Sequence, residues 1–264
     1  MVISIYMGKE LSVTKIMRGL KTNIIGRKVV YLPSVTSTMD TARSEALKGA
    51  QEGAVVFAGE QTGGRGRLER GWISPEGNIA LSVILYPDIK NLPYLIMITS
   101  LAVVKSIEAV AGLKAGIKWP NDILIGGKKV GGILIENEVK GNKVAYSIVG
   151  IGINVALKVE NYIEIADTAT GLKNGIDKGE IRIKIIRTLL REFDRLYLKL
   201  PHGEAIYKAW RDRLVTLGKK VRARSGNQVI EGVAEEVDDD GALVIREGDG
   251  RQTKVVAGDV TLRE

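Results

Sequence analysis

Three short apolar runs separated by turn-forming glycines constrain the fold of this chain more than any other feature. Residues 123–125 lead into Gly126-Gly127 and then 129–136, and Gly141-Asn142 leads on into 143–151. Glycine tolerates the positive φ that tight hairpin turns require, so each run is expected to fold back on the one before it. Further strands are expected at 28–35, 54–60, 79–86 and 117–119. A helix is expected from Ser37-Thr38 to about Lys48, with Ser37 and Asp40 placed as a capping pair, and two more at 180–199 and 203–214. Hairpins outnumber crossovers, which implies an antiparallel or mixed sheet with helices on one face rather than a doubly wound parallel fold.

Residues 93–104 are the most apolar stretch and are followed by Lys105 and Glu108. A membrane span needs about 20 apolar residues, so this run is expected to be a buried helix, opened near Asn91 and Pro93 and closed near Gly112. After Leu217-Gly218 the pattern changes to four or five short strands, with turns at Ser225-Gly226-Asn227, 238–241 and 248–250. This divides the chain into a domain over 1–217 and a small β-barrel over 218–264.

With 264 residues, a sizeable core and a smaller second one are both affordable. The absence of cysteine excludes disulfides, thiolate zinc sites and a cysteine nucleophile, and suits a cytoplasmic setting. The one histidine, His202, follows Pro201 at an expected surface turn, so neither a Ser-His-Asp triad nor a histidine metal site is expected. The net charge of +8 divides as +5 over residues 1–28, +5 over 29–217 and −2 over 218–264. Charge spread so thinly does not form a nucleic-acid recognition element. The opening MVISIYMGKE puts charge after its apolar piece, the reverse of a secretion signal.

Residues 61–78, QTGGRGRLERGWISPEGN, carry Arg65, Arg67, Arg70, Trp72 and five glycines. Arginine forks onto carboxylate and phosphate oxygens, and glycine lets a backbone approach a ligand closely. The stretch therefore reads as a flexible loop that closes on an anion. Alternation along an extended loop would turn Arg65 and Arg67 the same way.

Together with KWPNDILIGGKKVGGILIE at 118–136, Ser37-Thr38, Gln61 and GIGIN at 150–154, this loop resembles the biotin protein ligases from about Gly19 to the C-terminus. The resemblance implies an α+β catalytic fold with a mixed, mostly antiparallel sheet, class II synthetase-like, and a C-terminal SH3-like barrel. It further implies a homodimer that uses ATP, biotin and Mg2+ to modify a lysine of a biotin carboxyl carrier protein.

By the same resemblance, Lys129 reaches both the biotin carboxylate and the α-phosphate; strand alternation turns Lys128 to the opposite face, as a solvated charge. Arg65 and Arg67 close over biotin and its adenylate, with Gly66 on the biotin side. Arg70, Asn121 and Asn154 belong to the nucleotide side, and Gly132 to the biotin side. Ser37, Thr38 and Gln61 match the pocket for the ureido ring, although Ser37 also reads as a plain helix cap. Met39 replaces a usual asparagine, which leaves only its backbone as a ligand group. Asp122 matches the carboxylate that meets the acceptor lysine, or forms an Asx turn; Trp72 covers the adenylate, or packs in the core. Two other readings compete: a lipoate or octanoate ligase, against which GRGR and KWPND speak, and a DNA-binding repressor. The roughly eighteen residues before the resemblance are too few for a helix-turn-helix module.

Overall fold

The computed structural model describes residues 13–172, 178–200, 203–226 and 228–263. The expectations for the opening segment through residue 12, for His202 and for Asn227 lie outside the described residues. The glycine-punctuated hairpins form as expected: β5 (Asp122–Ile125), β6 (Lys128–Lys140) and β7 (Lys143–Ile153) pair antiparallel in succession. They join β1 (Val29–Val35), β2 (Val55–Gln61), β3 (Ile79–Leu85) and β4 (Gly116–Lys118) in a sheet ordered β1-β2-β3-β7-β6-β5-β4. Only β1 and β2 run parallel, because α2 (Thr38–Leu47) crosses between them.

That crossover corrects the expectation of helices on one face. Val55 and Phe57 of β2 turn toward the main core, whereas Val56 packs with Met39, Ala42 and Ala46 of α2 on the opposite side. Both faces are therefore covered at the sheet's centre, and β3 is buried at every position. The capping expectation also holds only in part. Ser37 accepts the Met39 N–H at 3.2 Å, but the Asp40 carboxylate faces Arg43 and Arg65 instead of returning to Ser37.

The long apolar helix α3 (Leu92–Ala111) starts with Pro93 in its first turn and ends at Gly112 in the left-handed conformation, as the glycine signal implied. It is long and apolar enough to cross a membrane, yet it is mostly buried, packed against α4 (Lys178–Tyr197) and α5 (Gly203–Arg211). A five-residue helix, α1 (Val13–Met17), precedes β1. The following turn is fastened by the buried Asp194 carboxylate, which accepts the backbone N–H groups of Asn23, Ile24 and Ile25.

The C-terminal strands β8 (Lys220–Ser225), β9 (Gln228–Val237), β10 (Leu243–Glu247), β11 (Gln252–Val255) and β12 (Asp259–Leu262) form an antiparallel sheet ordered β11-β10-β9-β8-β12. Its end strands pair with one neighbour each, so among the described residues the sheet is open rather than the closed barrel expected. It is nevertheless docked on the larger unit. The Trp119 indole donates to Gly241 O at 2.8 Å, the Tyr207 hydroxyl donates to Val237 O at 2.5 Å, and Ile245 and Val260 belong to the main core.

Candidate active site

A cleft of about 1210 Å³ opens over the β5–β6–β7 end of the sheet, between the arginine-rich loop, the segment around 162–169 and strand β12. Every site residue expected from the sequence lines it, and the exposed Lys128 does not.

At one end, parallel pairing sets Gln61 opposite Val35, beside the start of α2. Gln61 Oε1 accepts from the Thr38 N–H at 2.8 Å and from the Thr38 hydroxyl at 3.0 Å, and Ser82 donates to the same hydroxyl at 2.9 Å. With its oxygen doubly engaged, Gln61 has its two amide N–H donors left. This end of the cleft thus presents neutral polar groups. Met39 does not leave its backbone N–H free, because that group caps onto Ser37. Its thioether packs against Gly150, where a Cβ would lie 2.4 Å from the sulfur.

The arginine loop is a bent hairpin rather than a free coil. Gln61 donates to Ser74 O at 2.9 Å, Trp72 to Gly64 O at 2.8 Å and Gly66 to Arg70 O at 2.7 Å. A Cβ at Gly64 would fall 2.4 Å from Trp72 O, so the close approach of the two arms requires glycine. The tip is a 3-10 turn, Arg67–Glu69, in which Leu68 (φ 54) and Glu69 (φ 57) are left-handed, a conformation costly for L-residues. Leu68 is 65% exposed there.

The three arginines diverge, contrary to the simple alternation expected. Arg65 reaches Asp40 Oδ1 at 2.5 Å and Glu136 Oε1 at 3.7 Å. Arg67 donates to Asn121 Oδ1 at 3.1 Å; burial pulls its guanidinium below its ordinary value, against the opposing charges of Asp259 and Asp122. Arg70 reaches across to Asp259 Oδ2 on β12 at 2.7 Å, and this hydrogen bond raises its pKa. Burial pushes the Asp259 carboxyl up, but the Arg70 hydrogen bond and neighbouring cations outweigh it and hold the group below its ordinary value.

The opposite wall is sheet. The backbone of Lys129 is fixed on both sides, donating to Thr168 O and accepting from Thr170, each at 2.8 Å. Its ammonium lies 2.6 Å from Asp122 Oδ1 and 5.4 Å from the centre of the Trp72 ring, within cation–π range. Trp72 lies over the bare backbone of Gly132 and Gly152; a Cβ at Gly152 would stand 2.5 Å from the ring. Asn121, after the cis Trp119–Pro120 bond, donates to Ile133 O at 2.9 Å while accepting from Arg67. Asn154 is buried in the floor, its N–H on Val130 O at 2.7 Å.

Sequence reasoning missed three contributors: the wall around 162–169, Asp259, and the carboxylates Asp40 and Glu136 behind Arg65. Residues 157–172 carry no motif, and Asp259 lies in a segment legible only as one of the short C-terminal strands.

Cations and neutral amides gathered over the end of a mostly antiparallel sheet, with a small β unit at the rim, define an α+β ligase-type catalytic unit. Residues 31–154 match the Biotin/lipoate A/B protein ligase family and residues 216–263 the Biotin protein ligase C terminal domain. The chain is 38% identical over 259 residues to the bifunctional ligase/repressor BirA of Bacillus subtilis, covering 96% of this chain and 79% of that protein. It is 36% identical over 228 residues to the biotin–[acetyl-CoA-carboxylase] ligase of Paracoccus denitrificans, covering 81% and 93%. The structure of the biotin protein ligase from Aquifex aeolicus in complex with biotin and ATP superposes with a TM-score of 0.72 at 29% identity, covering 90% of this chain and 99% of that one. The chain belongs to the biotin protein ligases, a family of enzymes.

Proposed function

We propose that this protein activates biotin with ATP to biotinyl-5'-AMP and transfers biotin to a lysine of a biotin carboxyl carrier domain. The observation that carries this reading is the single cleft with Lys129 and Arg67 at one part and the neutral Thr38–Gln61 set at another. A ureido ring needs neutral donors and acceptors, whereas a carboxylate and a triphosphate need cations; the cleft offers both along its length. A carboxylate oxygen attacks the α-phosphorus, a P–O bond forms, and the bond to the β-phosphate oxygen breaks to release diphosphate. Negative charge accumulates where two anions meet, and Lys129 and Arg67 offset it.

In the second step the acceptor amine attacks the acyl carbon, AMP leaves, and one proton is lost from nitrogen. Asp122, paired with Lys129 at 2.6 Å, comes free to accept a hydrogen bond from that amine once Lys129 turns to the adenylate. Trp72 over Gly132 and Gly152 limits water at the anhydride. Magnesium is assigned to the nucleotide, because Mg2+ commonly binds through substrate phosphates.

Mass analysis after incubation with ATP, magnesium, biotin and a carrier domain tests the reading, one added biotinyl group being expected. Lipoate in place of biotin should give no transfer; equal transfer of both acids would overturn the choice of substrate. Sequence-specific binding of duplex DNA is not part of this reading. A salt-resistant footprint would contradict that part. The resemblance also carries homodimerisation, to be checked by sedimentation, and the lack of cysteine suits a cytoplasmic location.

A further inference from the structure

Arg65 is the loop cation farthest from being available to an incoming anion, since it is already shared between two carboxylates on two other elements. Asp40 lies in the first turn of α2, whose start is held by Gln61, and Glu136 lies on β6, the strand that carries Lys129. Arg43 completes the group by pairing with Glu136 and, at 3.4 Å, with Asp40. Two cations and two carboxylates thus form a closed, neutral ring that joins α2, β6 and the stem of the arginine loop. The tip is held by single contacts at its ends, Arg67 to Asn121 and Arg70 to Asp259, and between them Leu68 and Glu69 are exposed and left-handed.

We infer that Asp40 and Glu136 are positioning residues for the biotin ligase reaction: they fix the loop stem through Arg65, so that only the part from Arg67 onward has to order when substrate enters. The inference rests on the function proposed above. A ring with this role makes biotin binding less demanding, because fewer residues lose conformational freedom on closure. It leaves the chemical step alone, since neither carboxylate pairs with Lys129 or Arg67. The alternative relation has the opposite sign. If these carboxylates merely competed with the substrate carboxylate for Arg65, removing them would free the arginine and tighten binding.

The test uses Asp40→Asn, Glu136→Gln and the double variant, with diphosphate release measured against biotin at saturating ATP and trypsin cleavage at Arg65 measured without substrates. Exposed ion pairs are worth up to about 1 kcal/mol, so each single variant is expected to raise KM for biotin roughly two- to fivefold, with kcat within about twofold of the parent. Cleavage at Arg65 should quicken by a similar factor, and Asp40→Glu should return both readings toward the parent. An unchanged or lowered KM, or a loss confined to kcat, overturns the inference. If the parent releases no diphosphate with biotin, the proposed function fails. In that case unchanged trypsin cleavage in the double variant would still overturn the ring's hold on the stem.

Discussion

The two walls of the cleft are built by different means. The sheet wall, β5 to β7, is fixed by antiparallel ladders with register shifts at Ile123/Leu124 and Glu138/Val139, and Lys129 is additionally clamped to residues 168 and 170 by its own backbone. The loop wall, residues 61–74, has a few cross-arm hydrogen bonds and three arginines, each held by a side chain of another element. Ladder bonds in a buried sheet open only with the sheet, whereas half-exposed ion pairs exchange partners at little cost. The sheet wall therefore suits preorganised electrostatics, and the loop wall suits capture and release.

Lys129→Ala should break that comparison most severely. It removes a cation on a fixed strand from the place where the proposed reaction brings two anions together, so adenylate formation should fall on the order of a hundredfold or more, while Lys128→Ala, on an exposed side chain, should change little. Diphosphate release from both variants checks this, and equal losses would show that the sheet wall is not selective. Arg67→Gly acts on the other wall and should affect retention. Losing one charge-assisted contact weakens hold on the adenylate by about 1.5 to 3 kcal/mol, roughly ten- to a hundredfold in residence. Biotin should then appear on an unrelated lysine-rich protein at matched adenylate production. Labelling no higher than with the parent would leave Arg67 without a retaining role.

Asp259→Asn should give a smaller effect. The Arg70–Asp259 pair is half-exposed, so its loss should lower stability by about 0.5 to 1 kcal/mol in urea unfolding. Because the folded-state pKa of Asp259 lies below its ordinary 3.8, this contribution is complete above about pH 4 and fades as pH falls through the lowered value. A parent–variant difference that persists unchanged at pH 2 would mean that the aspartate acts by packing. Smallest of all should be Leu68→Gly. Relief of a left-handed leucine, roughly 1 to 2 kcal/mol, is largely offset by the greater freedom of glycine in the unfolded chain. The urea midpoint should hardly move, and a loss above about 1 kcal/mol would show that Leu68 packs against something.

Much of this molecule was legible because its signals are local. Glycine pairs fix hairpins through backbone sterics, so β5, β6 and β7 were visible in the sequence, and Pro93 and Gly112 marked the ends of α3. The cleft residues were legible as a set through the family resemblance, which grouped an amide at Gln61, cations at Arg67 and Lys129 and bare backbone at Gly132. Partner choice was not legible. That Arg65 turns to Asp40 and Glu136, that Arg70 turns to Asp259 far along the chain, and that α2 covers the second face of the sheet all depend on which surfaces meet after the strands are ordered. A charge's intrinsic preference is nearly the same for any opposite charge, so the sequence supplied the ions and only the tertiary structure paired them.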